Sequence, residues 1–218
     1  MHTATTRVFA AAGVAAPFLW AASVLYFGAA HPEYDPVNQF ISELAERGSS
    51  TELPMRLIGF AAPGVLIVTF GVFLLSRPIP TAVAALIIIH GLGRIVAGAF
   101  PCDHGCPMSG GTLSQSVHNV SAMVNGLTLP AAALLCGINR LTRRRSPSFA
   151  WYSLASAVLG LLFLSLMFAS RDTRHNVGMY QRLSLGTMSL WLAVLAVFLW
   201  PSRRQIPVPS EPEAARSI

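Results

Sequence analysis

Six runs of about 20 apolar residues divide this chain, and no soluble fold has use for so many. A membrane-crossing helix needs about 20 mostly apolar residues at ~1.5 Å rise each. The runs fall at residues 8–30, 55–75, 81–100, 117–138, 149–170 and 183–200. A soluble core helix would carry a polar stripe with a period of about 3.6 residues, and these runs carry none. Composition agrees: 11% of the 218 residues are charged, against roughly 25% in an average soluble domain. With 53% apolar residues the chain is not disordered. Its 17 Gly and three Cys are too few for a collagen-like chain or a disulfide scaffold. The expectation is an all-α polytopic membrane protein, a bundle of six transmembrane helices over residues 1–200. A flexible cytoplasmic tail at 201–218, rich in Pro and mixed in charge, follows it. The first run is longer than the 7–15 residues of a signal-peptide core, so it reads as a span.

Arginine placement gives the orientation. All 15 basic residues are Arg, which suggests a GC-rich bacterial genome and hence a bacterial cell membrane. With the N-terminus inside, Arg7, Arg77, Arg140, Arg143, Arg144, Arg145, Arg203, Arg204 and Arg216 are cytoplasmic. Arg47, Arg171 and Arg174 are outside, with Arg56 and Arg182 at the outer edge. The positive-inside rule then places both termini in the cytoplasm. The net charge of +6 is explained by this topology and points to no nucleic-acid partner. Acids contribute little to topology, yet Glu33, Asp35, Glu43, Glu46, Glu52, Asp103 and Asp172 all fall outside. That gathering suggests a site on the outer face.

Two outer loops carry the candidate chemistry. In the first, residues 37–47 place Phe40, Ile41 and Leu44 at helical spacing, which predicts a short amphipathic helix capping the bundle or lying on the membrane. Ser42 and Glu43 then point into a site beneath it and are the catalytic candidates. The second loop reads F-P-C-D-H-G-C-P. Cys102 and Cys106 are read three ways: as a small disulfide in an oxidising compartment, as metal donors with His104 and Asp103, or as part of a turn punctuated by Pro and Gly. Cys136 is too far along the chain to pair with either and reads as a packing residue.

Polar residues inside the spans are the sharper signal, because a charge at mid-bilayer costs about 2.5–3.5 kcal/mol on insertion scales. His90 and Arg94 share one face of the third span, and His118 and Asn125 share one face of the fourth, with Asn119 adjacent. Arg182 opens the sixth. A desolvated Arg needs a carboxylate, so Arg94 and Arg182 are expected to pair with Glu43 or Asp103. Together these groups predict an outward-facing polar pocket with Arg94, Arg182, Asn119 and Asn125 as ligand-binding residues, and His90 as a packing residue. The first functional reading is a membrane protein that binds or handles a lipid or small amphiphile. The alternative is a zinc-dependent intramembrane hydrolase with Asp103, His104, His118 and His175 as ligands and Glu43 as general base. No cofactor is certain and zinc is the possible one; membrane lipids are the expected partners; the oligomeric state is not readable.

The segments H-P-E-Y-D-P-V-N-Q-F-I-S-E-L and G-R-I-V-A-G-A-F-P-C-D-H-G-C-P, followed by His118-Asn119, resemble the domain-of-unknown-function 998 family of bacterial six-span membrane proteins. The resemblance covers roughly residues 8–200. It implies the fold and a membrane location, marks Ser42, Glu43, Asp103, His118 and Asn119 as motif positions, and supplies no reaction. A looser likeness is to the alkaline-ceramidase superfamily, whose members place Ser, Asp and three His around a zinc. Here Ser42, Asp103, His104, His118 and His175 match in residue type, but that superfamily's seventh span and its H-x-x-x-H pair are missing.

Overall fold

The protein is described by a computed structural model over residues 3–200; the expected tail at 201–218 lies outside the described residues. Six long helices form: α1 (Thr3–Ala30), α2 (Glu52–Leu74), α3 (Thr81–Ala99), α4 (Leu113–Thr142), α5 (Pro147–Ala169) and α6 (Val177–Phe198). Each is long and apolar enough to cross a membrane, and no strand forms among the described residues. Every helix packs on its successor and α6 returns to α1, so the six close into a ring. One end of the ring carries the 31–51 and 100–112 connections and is called here the lid end. The other carries the turns around Arg77 and Arg143 and is called the arginine end.

Several helices start earlier than hydropathy predicts, α4 at Leu113 and α6 at Val177 among them. The first turns of these two are polar, but the polar groups turn inward. Gln115 and His118 are buried in α4, and Gln181 and Arg182 bond to the chain at 34–41. Thr112 caps α4 by accepting the Gln115 N–H at 3.2 Å.

α2 is not regular. Residues Met55–Ala61 form a π-helix before the α-helical Ala62–Leu74. Pro63 lies just beyond it and has no N–H to donate, so Gly59 O loses the donor that an α-helix would bring from residue 63. Arg56, in this segment, donates to Gly98 O at 2.8 Å and Ala99 O at 3.0 Å, closing the end of α3, and pairs with Glu52 at 2.9 Å.

The arginine-end half has one continuous apolar core, with Phe70, Ile87, Ala132, Trp191 and Leu195 fully buried. The lid-end half splits into two smaller clusters, one around Trp20, Ile41 and Met55 and the other around Phe40, Leu164 and Val177. Between helices, Ser184 donates to Gly160 O at 2.9 Å, and Trp191 Nε1 donates to Ser153 Oγ at 3.1 Å. Such bonds and close backbone approach replace the hydrophobic drive that lipid does not provide.

The closest approach is between α2 and α3. A Cβ on Gly64 would lie 2.7 Å from Gly91 O, and one on Gly91 would lie 2.7 Å from Gly64 O. Gly186 in α6 has no atom within 4 Å of its Cβ position. Either Gly64→Ala or Gly91→Ala is therefore expected to push the helices apart and cost about 1–3 kcal/mol. Gly186→Ala, by contrast, leaves the melting temperature in detergent unchanged or raises it. Equal effects of Gly91→Ala and Gly186→Ala would show that this contact does not hold the ring.

Candidate functional site

The connection between α1 and α2 does not form the amphipathic helix expected at 37–47. Only Ile41–Ala45 is helical, as a single 3₁₀ segment, and it is buried rather than laid on a surface: Phe40, Ile41, Glu43, Leu44, Ala45 and Glu46 are all inside. Burying both acidic and apolar residues of one segment requires every polar group to be met. Glu43 meets three donors: the Phe40 N–H at 2.8 Å, Gln39 Nε2 at 3.1 Å and Arg174 Nη2 at 3.0 Å. Burial pushes the Glu43 carboxyl up from its ordinary value, against the lowering pull of those donors. Glu46 accepts from the Gly105 N–H at 2.6 Å and from His104 Nδ1 at 2.7 Å, which joins the lid to the second loop.

The lid is also tied to the start of α6. Ile41 N–H donates to Gln181 Oε1 at 2.6 Å, Met179 N–H to Val37 O at 3.0 Å, and Asn176 N–H to Asn38 Oδ1 at 2.9 Å. Arg182 donates to Gln39 O at 3.2 Å and to the Tyr34 hydroxyl. A Cβ at Gly178 would collide with the carbonyl oxygens of Pro36 and Gln39, so this helix start is glycine because the lid backbone lies against it.

In the second loop Cys102 and Cys106 are joined as a disulfide, which decides between the three readings of that segment. Cys136 is free and buried. Asp103 accepts from Thr112 N–H at 2.7 Å and Thr112 Oγ1 at 2.9 Å, with Arg47 Nε at 3.7 Å. The Thr112 N–H, its hydroxyl and the Arg47 charge hold the Asp103 carboxyl below its ordinary value.

Beneath the lid lies a cavity of about 120 Å³. All six helices contribute to its wall, Trp20 from α1 and Phe60 from α2 among them, and Phe40, Ile41 and Ser42 roof it. Most of the lining is apolar. The polar exceptions are Ser42, Arg94, His118, Asn119, Asn125, Gln181 and Ser184. His118 donates from Nδ1 to Phe100 O at 2.9 Å, and Asn119 donates to Pro107 O at 3.0 Å and accepts from Gln115 Nε2 at 2.8 Å. One turn below Arg94, His90 donates from Nδ1 to Asn125 O at 3.2 Å, the packing role expected for it.

Arg94 is the exceptional member. It is 6% exposed and, among the described residues, forms no ion pair. Its Nη2 donates to Gly59 O at 3.2 Å, the carbonyl that Pro63 leaves without its α-helical donor. Its guanidinium lies 5.6 Å from the Trp20 ring and 6.0 Å from the Phe60 ring. Three buried polar atoms without a hydrogen-bond partner belong to residues of this cavity: Arg94 Nε, Trp20 Nε1 and Asn125 Oδ1.

The expected Arg94 and Arg182 pairings do not form. Glu43 pairs with Arg174 and Asp103 lies beside Arg47, because those arginines, like the two acids, lie in the connections at the lid end, while Arg94 lies about 9 Å deeper along its helix. Arg182, Glu43, Asp103, His104 and His175 lie outside the cavity wall; Ser42, Arg94, His118, Asn119 and Asn125 are on it. The four His and Asp donors do not gather either. His104 is exposed beside Glu46, His175 is exposed and accepts from Asn176, and His118 is buried under Phe100 O. Among the described residues no three His, Cys, Asp or Glu side chains form a group able to hold a metal. Sequence reasoning missed Gln181, Arg174, Gln115 and Trp20. Only a three-dimensional arrangement joins them to the lid or the cavity.

The lowered Asp103 carboxyl gives a signed pH dependence. Its contribution to stability is full above the ordinary value of 3.8 and is lost as pH falls through the lower folded value. Asp103→Asn is expected to lower the melting temperature at pH 7, with the gap to the wild type closing as pH drops below about 4. A gap that stays constant with pH would mean that the charge of Asp103 holds nothing.

Comparison with known proteins places this arrangement in a family. No curated protein and no solved structure matches the chain. Residues 14–198 match the family described as protein of unknown function (DUF998), a stretch that runs from the first turns of α1 to the end of α6. The chain belongs to the DUF998 family.

Proposed function

We propose that this protein binds a lipid or small amphiphile, headgroup first, in the cavity beneath the lid. The observation that carries the reading is Arg94, buried with an unpartnered Nε and with no ion pair among the described residues, on the wall of one mainly apolar cavity. A buried polar group without a partner costs about 1–3 kcal/mol. A headgroup that accepts from the Arg94 guanidinium offsets part of the cost of burying it, and the uncompensated charge favours an anion. Size limits what enters. An engineered apolar cavity of about 150 Å³ takes up benzene, so about 120 Å³ accepts a headgroup or one end of a chain and not a whole lipid. The remainder then leaves between α4 and α5, where the lining residue Met123 is 43% exposed and Met108 above it 38% exposed.

The protein resides in the bacterial cell membrane with the lid end outward and both termini cytoplasmic. The excess of Arg at the other end supports this, as does a disulfide at the lid end, since disulfides persist in oxidising compartments. A zinc-dependent hydrolase would need a ligand set, and the scattered donors described above give it none to start from.

The test is thermal unfolding in a maltoside detergent with dodecyl phosphate or dodecanol added. Dodecyl phosphate is expected to raise the melting temperature of the wild type more than dodecanol does. That difference is expected to shrink in Arg94→Gln and in Asn125→Leu. Equal stabilisation of wild type and Arg94→Gln by dodecyl phosphate sinks the proposal. The orientation has its own check: a fluorescent protein fused after Ile218 is expected to mature and fluoresce, and a dark, fully expressed fusion reverses the topology.

A further inference from the structure

A second cavity, of about 420 Å³, lies at the arginine end, at the opposite end of the bundle from the lid. Its wall includes Arg140, Arg143 and Arg145, with Cys136 and Asn139 on the same face of α4 as Arg140, and the 78–80 segment. The turn after α4 explains why alternate arginines face it. Arg144 and Ser146 take positive φ values of 50° and 47°, and Arg145 N–H bonds back to Arg140 O at 2.9 Å. This curls the chain so that Arg143 and Arg145 line the cavity and Arg144 does not. Arg140 is held rigidly: its guanidinium lies 4.4 Å from the Phe198 ring and 5.2 Å from the Phe149 ring, and those two rings stack at 4.3 Å. Its Nε is buried and has no hydrogen-bond partner.

Among the described residues no carboxylate pairs with these arginines. The chain has no Asp or Glu between Glu52 and Asp103, nor between Asp103 and Asp172, so the turns at this end supply none. Topology alone asks only for positive charge near the membrane surface; it does not ask for a cavity, or for a guanidinium set against two stacked rings with a free buried N–H. Arginine clusters of this kind match phosphate oxygens, which accept paired N–H donors from the planar fork.

We propose that the Arg140, Arg143 and Arg145 cavity is a binding site for a phosphate group, distinct from the cavity beneath the lid. Two sources carry that chemistry: the headgroup of an anionic phospholipid in the adjoining leaflet, or a soluble phosphate ester. The rigid Arg140 anchors the phosphate, and the two loop arginines close over it.

The test uses the full-length protein in maltoside detergent, titrated with dihexanoyl phosphatidylglycerol, glycerol 3-phosphate or uncharged hexyl glucoside, with binding read by calorimetry. At least one of the two phosphates is expected to bind more tightly than hexyl glucoside. Arg143→Gln and Arg145→Gln are each expected to weaken it about tenfold, while Arg144→Gln, which removes the same charge from outside the cavity, changes it less than about twofold. Arg140→Gln is expected to abolish binding. Because that variant also disturbs the ring stack, the two loop variants decide. Binding of phosphatidylglycerol alone assigns the site to a lipid headgroup, and equal binding of glycerol 3-phosphate assigns it to a soluble ester. The proposal is overturned if neither phosphate outbinds hexyl glucoside, or if Arg144→Gln costs as much as Arg143→Gln.

Discussion

A missing N–H organises the lid-end half of this molecule. Pro63 cannot donate to Gly59 O, and the helix before it widens into a π turn. In a bilayer a carbonyl freed in this way must find a donor from protein, since no water is at hand. Arg94, on the neighbouring helix, is that donor. Its presence there brings a charge into the bundle with two aromatic rings beside it and no acid. The cost of a buried charge is acceptable only where the surroundings are polarisable or open to a partner. The cavity at Arg94 is the second of these.

The ring architecture explains why the cavity lies where it does. Small residues draw α2 and α3 into backbone contact near mid-bundle, and Phe, Leu and Trp side chains build the continuous core of the arginine-end half. Toward the lid, α4 and α6 barely touch across the ring, and the space between them falls to side chains that also carry polar atoms. The lid completes the enclosure without adding bulk to the interior. Its own polar groups are met by carboxylate and amide partners from other segments, so it seats as a rigid plug in place of a mobile loop.

Six spans were legible because hydropathy is local: each run of about 20 apolar residues declares itself without reference to the others. The start of α4 was not legible, because Gln115 and His118 look like loop residues until one sees that they face inward. The lid shows the same limit. Phe40, Ile41 and Leu44 have helical spacing, yet Glu43 caps the Phe40 N–H and tightens the segment into one 3₁₀ turn. The polar cavity residues Arg94, His118, Asn119 and Asn125 could be chosen from sequence because polar groups in an apolar run are conspicuous. Their partners could not. Whether Glu43 meets Arg94, Arg182 or Arg174 depends on depth and loop geometry, which spacing along one chain does not encode.

The contacts of the lid have a bearing on how the protein is made. Residues 34–41 leave the ribosome early, but the groups that hold them, from Asn176 to Arg182, are synthesised some 140 residues later. The plug therefore stays unseated while five spans are already threaded into the membrane, and the last helix both closes the ring and locks the plug. An unfinished or C-terminally clipped chain presents an open bundle with its acidic loop loose. A quality-control protease could read that state as incomplete, whereas the finished protein hides the same segment.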